Sequence, residues 1–273
     1  MSDETLSSSI SEPTYSTGEA YEPLTGRWSR LVAPSFVDWL DVPAGGRWLD
    51  VGCGTGALIQ TILDTQRPAE IIGIDPNSPF IAYARRRIDD NRVRFEVGDA
   101  RDLPVPSMQF HSVVAGLVLN HIPDPGKEKA VREMRRTARK GGVVAGYVWD
   151  YPAGLMPRVR FWETATARDP AAAEFDERGR YPICTREGLE ALFRRAGLSC
   201  IETRLFEIEA RFASFDDYWS PFLAGAGLAS RYVLSLSDEG KAALRDDLQR
   251  ALPVNADDSI VLPMRVIGVQ GLA

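Results

Sequence analysis

Three glycines alternate with small residues in the segment Asp50-Val-Gly-Cys-Gly-Thr-Gly56, directly after a short apolar run. Glycine is needed where the backbone takes a positive φ or approaches a ligand without an intervening Cβ atom. A helix that follows such a loop begins with unpaired N–H groups and the positive end of its dipole. The segment therefore predicts a loop in which Gly52, Cys53, Gly54 and Gly56 hold a polar ligand against the backbone.

The glycine spacing alone leaves the ligand open. Gly52, Gly54 and Ala57 also fit the G-x-G-x-x-G/A pattern of dinucleotide-binding proteins. A glycine turn with a purely structural role has the same appearance. The neighbouring residues must therefore distinguish between these alternatives.

Acidic residues follow the next two predicted strands. Asp75 ends the second strand and precedes Pro76. Asp99 follows the third strand and precedes Ala100. A carboxylate at the end of the second strand can accept both hydroxyl groups of a ribose, and each such charge-assisted hydrogen bond contributes roughly 1.5 to 3 kcal/mol. Asp75 thus indicates a nucleoside cofactor, although a nicotinamide enzyme would use the same acid.

These residues lie in a chain segment where strands and helices alternate. Hydrophobic periodicity and turn residues predict strands at 47–51, 70–75, 93–97, 111–119 and 143–149, and helices at 58–65, 78–89 and 127–139. We expect Ser78 to cap the second of these helices, with Pro79 at its first helical position. The alternation is typical of a parallel sheet with helices on both faces, in which ligands bind at the carboxyl ends of the strands.

Composition favours a small-molecule partner. The chain has 273 residues, of which 44% are hydrophobic and 26% charged, enough to bury one large α/β core. Its formal net charge of −6 argues against nucleic acid and anionic membranes, because both require clustered positive charge. The sequence shows no apolar run of the roughly 18 residues that a membrane span needs, and residues 1–20 lack the order of a signal peptide. We therefore expect a cytoplasmic protein.

The domain organisation follows from the same patterns. Residues 1–19 are polar and are expected to form a disordered tail, whereas residues 20–273 form one domain with its core at 41–150. Aromatic-rich insertions at about 150–184 and 211–259 are expected to cover an apolar substrate pocket, although their aromatics could equally pack a small core of their own. The three cysteines have no metal-binding or disulfide spacing, so we expect no metal site.

The glycine motif, Asp75, the Gly98-Asp99-Ala100 segment and the segment Leu119-Asn-His-Ile-Pro-Asp124 together resemble class I S-adenosylmethionine-dependent methyltransferases. The similarity is greatest to their small-molecule, ubiquinone-biosynthesis-like (type 11) branch and covers residues 21–149. It implies a doubly wound, seven-stranded, mostly parallel sheet with helical insertions. It also implies a helix at 185–196, a sixth strand at 201–210, and an antiparallel seventh strand at 260–269 between strands five and six.

The resemblance assigns roles in binding S-adenosylmethionine. Asp75 would bind the ribose, and Asp99 would reach the adenine amino group beside the Ala100 backbone. The carbonyl groups of Gly52 and of Gly116 or Leu117 would receive the methionine ammonium.

The remaining predicted contacts with the cofactor involve charged groups. Arg27 or Tyr21 would hold the methionine carboxylate, and the segment 21–29 is expected to close over the bound cofactor. Asp50 separates the two cofactor classes, because it would repel the anionic pyrophosphate of a dinucleotide where S-adenosylmethionine carries an ammonium and a sulfonium.

The predicted function is methyl transfer to a small molecule at oxygen, nitrogen or carbon by in-line displacement. Asn120-His121-Ile122-Pro123 replaces the Asn/Asp-Pro-Pro-Tyr/Phe motif of enzymes that methylate nucleic-acid bases. Positioning can supply roughly 7 to 11 kcal/mol of the barrier. His121 is the candidate general base, and the alternative is that it caps a turn.

Two other functional classes stay open at this point. A cofactor-binding regulatory protein without catalysis would have the same sequence pattern. A nicotinamide-dependent oxidoreductase is disfavoured, because the sequence lacks a Tyr-x-x-x-Lys pair.

Overall fold

The computed structural model describes residues 27–224 and 227–273. The predicted tail at 1–19, the predicted site residue Tyr21, and most of the expected lid at 21–29 lie outside the described residues. Within them, the chain is organised around a single mixed sheet.

The sheet has seven strands in the order β3-β2-β1-β4-β5-β7-β6. The strands are β1 Arg47–Val51, β2 Glu70–Asp75, β3 Val93–Val97, β4 Phe110–Gly116, β5 Ala138–Trp149, β6 Ser199–Phe212 and β7 Ile260–Leu272. β1 to β5 pair in parallel, and β7 runs antiparallel between β5 and β6. The predicted fold class is therefore confirmed, including the position of the antiparallel strand.

Helices cover both faces of the sheet. They are α1 Arg27–Trp39, α2 Ala57–Gln66, α3 Ser78–Arg87, α4 Gly126–Thr137, α5 Met156–Arg168, α6 Arg186–Arg195, α7 Phe215–Trp219, α8 Gly227–Ser235 and α9 Asp238–Ala251. Consecutive residues of β1 enter different cores: Trp48 packs with one hydrophobic cluster and Leu49 with the other. Because side chains alternate along a strand, this division shows that the sheet is buried on both faces.

Two strand boundaries differ from the prediction. β5 begins at Ala138, whereas we expected a helix to continue to Arg139 and a strand to begin only at residue 143. Gly141 has φ +69° and lies at a register shift in the β4–β5 pairing, so the two glycines form an irregularity within the strand and do not stop a helix. β4 ends at Gly116, before the predicted 119, because Leu117 has φ +60° and turns the chain.

The cap of α3 also differs from the prediction. Asn77, and not Ser78, is the N-cap, and its side chain accepts a hydrogen bond of 3.2 Å from the backbone N–H of Phe80. Ser78 and Pro79 occupy the first turn. Both residue types cap helices well, and here Asn77 holds the extended backbone conformation that a cap requires.

The segments outside the shared sheet pack against each other. The Phe161 ring of α5 stacks on the Phe222 ring at a centroid distance of 4.4 Å, and Trp162 lies 5.9 Å from Tyr232 of α8. Phe161 and Trp162 are fully buried. These aromatics belong to the same hydrophobic cluster as Trp48 of β1, so they extend the main core and do not form a separate one. Whether the insertions also cover a substrate pocket stays a prediction.

No helix within the described residues is long and apolar enough to cross a membrane. The cytoplasmic location stays a prediction. Cys53, Cys184 and Cys200 are all unpaired thiols.

Candidate active site

The glycine loop is anchored to the end of β2. Gly52, Gly54 and Gly56 all have positive φ values, of +74°, +53° and +85°. The backbone N–H groups of Gly52 and Cys53 both donate to the carbonyl oxygen of Ile74, at 2.7 and 3.1 Å. The loop is thus held where β1 and β2 both end, at the carboxyl edge of the sheet.

The structure requires glycine at these three positions for different reasons. A Cβ atom on Gly52 would lie 2.3 Å from Val118, and one on Gly56 would lie 2.7 Å from Ile88. A Cβ atom on Gly54 would meet no heavy atom within 4 Å in the described part of the chain. Packing therefore explains Gly52 and Gly56, whereas Gly54 leaves open space over its backbone, as a ligand cradle requires.

Asp75 connects this loop to the next helix. Its Oδ2 atom accepts a hydrogen bond of 2.9 Å from Gly54, and its Oδ1 atom accepts one of 2.8 Å from Asn77, across Pro76. Burial raises the pKa of Asp75, and the two backbone hydrogen bonds oppose that shift. Each carboxylate oxygen has a further lone pair, so the side chain can still accept hydrogen bonds from a ribose.

Asp50 is a buried acid for which the structure supplies no ion pair. Its side chain is 1% exposed, and neither oxygen has a hydrogen-bond partner among the described residues. Burial, with a further contribution from Asp75, raises the pKa of Asp50 to about 8. A buried carboxylate of this kind requires either a proton or a cation.

A cavity of about 40 Å³ adjoins Asp50 and the loop. It is lined by Ser29, Asp50, Gly52, Cys53, Gly54, Thr55, Ala57, Leu58, Gly116, Leu117 and Tyr147. None of these described lining residues is a lysine, arginine or histidine. One buried acid and no basic side chain in the lining favour a cationic group over an anionic pyrophosphate beside this cavity.

The end of β4 forms the opposite wall of this cavity. The backbone N–H of Leu117 donates a hydrogen bond of 2.8 Å to the carbonyl oxygen of Tyr147. A Cβ atom on Gly116 would lie 2.7 Å from the Tyr147 hydroxyl oxygen. The predicted residues Gly52, Gly116 and Leu117 are therefore brought together, as the resemblance implied.

Sequence reasoning missed the polar lining residues Ser29, Thr55 and Tyr147, together with the apolar Ala57 and Leu58. Thr55 lies inside the glycine motif, and Tyr147 is a polar residue in an otherwise apolar predicted strand. Those two signals could have identified them. Ser29 reaches the cavity only because α1 packs against α2.

Asp99 lies apart from the cavity. It forms an ion pair with Arg101 at 2.5 Å, and its side chain is 42% exposed. The hydrogen bond from the Arg101 side chain lowers the pKa of Asp99. Ala100 packs at the edge of a hydrophobic cluster. Contact of Asp99 and Ala100 with adenine stays a prediction, and Asp99 would have to share its carboxylate with Arg101.

Arg27 contacts the second insertion. Its Nη1 atom lies 3.0 Å from Oδ1 of Asp217, and its guanidinium carbon lies 4.2 Å from the Trp28 ring centroid. It is not among the residues that line the cavity. A role for Arg27 in holding the cofactor carboxylate stays a prediction, and it requires a change of partner from Asp217.

His121 lies at the end of the 3₁₀ turn Leu119–His121 that follows β4. Its ring centroid lies 6.2 Å from that of Tyr181, which in turn lies 4.7 Å from that of Tyr151. His121 is exposed, and partial desolvation by the surrounding chain lowers the pKa of its imidazole. The first insertion thus meets the turn that carries His121, and sequence reasoning missed both tyrosines.

The neighbouring Asn120 is 3% exposed, and neither of its amide atoms has a hydrogen-bond partner in the part of the chain that the structure describes. The same part of the chain contains no cluster of histidine, cysteine and acidic side chains that could hold a metal ion.

Comparison with known proteins shows a methyltransferase domain in this chain. Residues 49–142 match the family model described as "Methyltransferase domain". The chain is 29% identical to the demethylmenaquinone methyltransferase of Roseiflexus sp. (strain RS-1) over 178 residues, which cover 62% of this chain and 74% of that protein. It is 36% identical to the fatty-acid O-methyltransferase of Mycolicibacterium smegmatis over 126 residues, or 46% of this chain and 44% of that protein.

The fold is also similar to solved structures. The phosphoethanolamine N-methyltransferase 2 of Haemonchus contortus, solved with S-adenosyl-L-methionine, superposes with a TM-score of 0.57 at 17% identity. The superposition covers 93% of this chain and 56% of that chain. The chain therefore contains a methyltransferase domain at residues 49–142, and these similarities support S-adenosylmethionine as its cofactor.

Proposed function

We propose that this enzyme transfers the methyl group of S-adenosylmethionine to a small aromatic acceptor by in-line displacement. The observation that carries the proposal is the acid-lined cavity at the ends of β1 and β4, where the strand order reverses. Bound S-adenosylmethionine supplies a methyl group that its sulfonium already activates. The residues of the chain then have to orient the two reactants and exclude water.

Cofactor binding uses backbone atoms and buried acids. The open space above Gly54 admits the ligand, and the carbonyl groups of Gly52 and Gly116 accept from its ammonium. Asp50 supplies the opposing charge, and Asp75 uses its free lone pairs for the ribose hydroxyls. We expect Asp75 to contribute roughly 1.5 to 3 kcal/mol for each hydrogen bond to a charged group.

The acceptor is expected between the turn after β4 and the first insertion. The rings of His121, Tyr151 and Tyr181 lie next to one another there. A group of aromatic rings favours stacking with a flat ring of the acceptor. The relative named for demethylmenaquinone, at 29% identity, supports a quinone-like acceptor. The net charge of −6 and the Asn120-His121-Ile122-Pro123 segment support a small molecule over nucleic acid.

His121 is the candidate for removing a proton from the acceptor. Its lowered pKa favours the neutral imidazole at neutral pH, which is the form that acts as a base. A general base of this kind contributes typically 10²- to 10⁴-fold in rate.

The test is methyl transfer with labelled S-adenosylmethionine to a panel of reduced quinones, phenols and amines. We expect label on one acceptor class with wild type and, at a cofactor concentration below its Kd, at least tenfold less with Gly54→Ala. S-adenosylhomocysteine binding measured by calorimetry separates the possible failures. Binding without transfer to any acceptor, including a metabolite extract, would indicate the catalytically inactive binding protein, and absence of binding would overturn the proposed function.

A further inference from the structure

The strongest unexplained feature of this molecule is Asp50, an acid with both oxygens buried and without a hydrogen-bond partner in the described chain. It lines the same cavity as Gly52 and Gly116. We propose that Asp50 selects a cationic cofactor by releasing its own proton when the ammonium group of that cofactor binds. The inference rests on the proposed function, because it takes S-adenosylmethionine as the ligand.

The surroundings of Asp50 supply no competing positive side chain among the described residues that line the cavity. β2 contributes Asp75, the glycine loop contributes Cys53, and β5 contributes the phenol of Tyr147. The wall from α1 is the neutral Ser29, and β4 presents Gly116. The N-terminus of α2, at Ala57, adds a fixed positive potential through the helix dipole.

This environment determines the protonation of the unliganded site. Two carboxyl groups and a buried thiol cannot all ionise without a cation, because each charge raises the cost of the next. Burial raises the pKa of Cys53 well above its ordinary value, so the thiol stays neutral. With burial raising the pKa of Asp50 to about 8, Asp50 holds a proton at neutral pH.

Ligand binding changes the protonation state of Asp50. An ammonium group within ion-pair distance favours the carboxylate and lowers the pKa of an acid by roughly 1 to 3 units. The neutral acid and the incoming ammonium then become a carboxylate–ammonium pair, and one proton leaves to the solvent. The charge of the occupied cavity is thereby conserved. A ligand with an anionic group at this place forms no ion pair with Asp50, because the side chain of Asp50 is either neutral or negatively charged.

Calorimetry on the full-length protein tests this directly. S-adenosylhomocysteine is titrated at pH 6.5 in several buffers that differ in ionisation enthalpy, and the slope of the observed enthalpy counts the protons exchanged. A fall of 1 to 3 units from a pKa of about 8 corresponds to the release of about 0.2 to 0.9 proton per ligand bound at this pH. The ligand α-amino group is already charged at pH 6.5 and contributes no proton. The same measurement with 5′-methylthioadenosine, which lacks the methionine ammonium, is expected to give no proton release.

Asp50→Asn is the matched variant, since it replaces a neutral acid by a neutral amide of the same shape. It is expected to bind S-adenosylhomocysteine more weakly by tenfold or more and to release no proton. Release that persists in Asp50→Asn would assign the proton to another group and overturn the inference.

Wild-type protein alone also decides the question. Between pH 5.5 and 7, the Kd of S-adenosylhomocysteine is expected to fall by up to about tenfold per pH unit, while the Kd of 5′-methylthioadenosine stays constant. Binding of S-adenosylhomocysteine without proton release would overturn the inference and leave the proposed function intact. Failure to bind S-adenosylhomocysteine at any pH would overturn the proposed function itself.

Discussion

The backbone N–H of Gly54 donates a hydrogen bond of 2.9 Å to Oδ2 of Asp75. One carboxylate at the end of β2 thus fixes the conformation of the loop that follows β1. Because Asn77 binds the other oxygen of Asp75, the same side chain also orients the start of α3. Asp75 therefore stabilises the glycine loop and the start of α3 even without a ligand.

Substitution of Asp75 should therefore have two separable effects. Asp75→Ala removes the acceptors of two backbone N–H groups, and we expect the free energy of unfolding to fall by about 1 to 3 kcal/mol. We also expect S-adenosylmethionine affinity to fall by one to two powers of ten. Denaturant unfolding and calorimetry measure the two effects, and Asp64→Asn on α2 serves as a control. Unchanged affinity in a folded variant would remove Asp75 from the site.

Gly54 and Gly45 form a matched pair of glycines. Both have positive φ values, of +53° and +78°, and a Cβ atom on either meets no heavy atom within 4 Å among the described residues. Substitution by alanine should cost each a similar strain of about 1 to 2 kcal/mol. Only Gly54→Ala should lose cofactor affinity, by tenfold or more, because its methyl group fills the ligand cradle. Equal affinities of the two variants in calorimetry would contradict this role.

Asp50 should make the stability of the unliganded protein depend on pH. Its folded pKa of about 8 lies far above the ordinary value of 3.8, so between these values the native state binds one proton more than the unfolded state. The free energy of unfolding then falls by roughly 1.4 kcal/mol per pH unit as the pH rises from 4 to 8, and levels off above 8.

Asp50→Asn should abolish the part of the pH dependence of unfolding that arises from Asp50. The difference between wild-type and Asp50→Asn stability, measured by denaturant unfolding from pH 5 to 9, isolates it from other titrating groups. We expect the variant to become the more stable protein as the pH rises. A difference that does not change with pH would mean that Asp50 is already ionised in the native state.

Arg27 and Asp217 offer a test of the predicted carboxylate contact. The pair is about one-third exposed on each side, so it contributes only about 0 to 1 kcal/mol to stability. If Arg27 turns to the cofactor, Arg27→Gln should weaken S-adenosylhomocysteine binding severalfold, and Asp217→Asn should strengthen it by removing the competing acid. Calorimetry of both variants and of the double variant measures this. Identical affinities in all of them would leave Arg27 as a structural residue.

His121 and His111 lie at opposite ends of the same strand region, and His111 accepts a hydrogen bond of 3.1 Å from the backbone N–H of Arg47. His121→Asn should lower turnover by about 10²- to 10⁴-fold at neutral pH with little change in cofactor affinity. Because desolvation lowers the pKa of His121, wild-type activity should persist to below pH 6.5 before protonation removes the base. The loss in the variant should shrink as the pH approaches the pKa of the acceptor.

His111→Asn is the control and should retain turnover. A His121→Asn variant that works within a few-fold of wild type across the pH range would leave positioning alone as the mechanism.

Local patterns predicted the first three strands with the bounds that the structure shows, because their apolar runs end in glycine, proline or acidic residues. The positions of β6 and β7 followed from the family resemblance and not from periodicity. Both strands extend beyond their predicted ends, since their long antiparallel pairing is a tertiary contact. The loop, Asp50 and Asp75 could be predicted because their chemistry lies within one continuous motif.

Other parts of the site could not be predicted from local sequence. Arg27 and Asp217 are separated by 190 positions, and no periodic pattern connects them. Tyr151 and Tyr181 approach His121 only through the folding of the first insertion. The unpartnered state of Asp50 depends on which side chains line the cavity, and that is decided by packing and not by the motif itself.

Three consecutive residues at the start of α1 reach two different parts of the enzyme. Arg27 pairs with Asp217, and the Trp28 ring lies 5.3 Å edge-on from that of Phe212, whereas Ser29 lines the cavity at the glycine loop. One turn of α1 therefore joins the second insertion to the wall of the cavity. An engineer who replaces residues 211–259 with those of a relative should expect the Kd for S-adenosylmethionine to change as well, and has to measure that Kd in every graft.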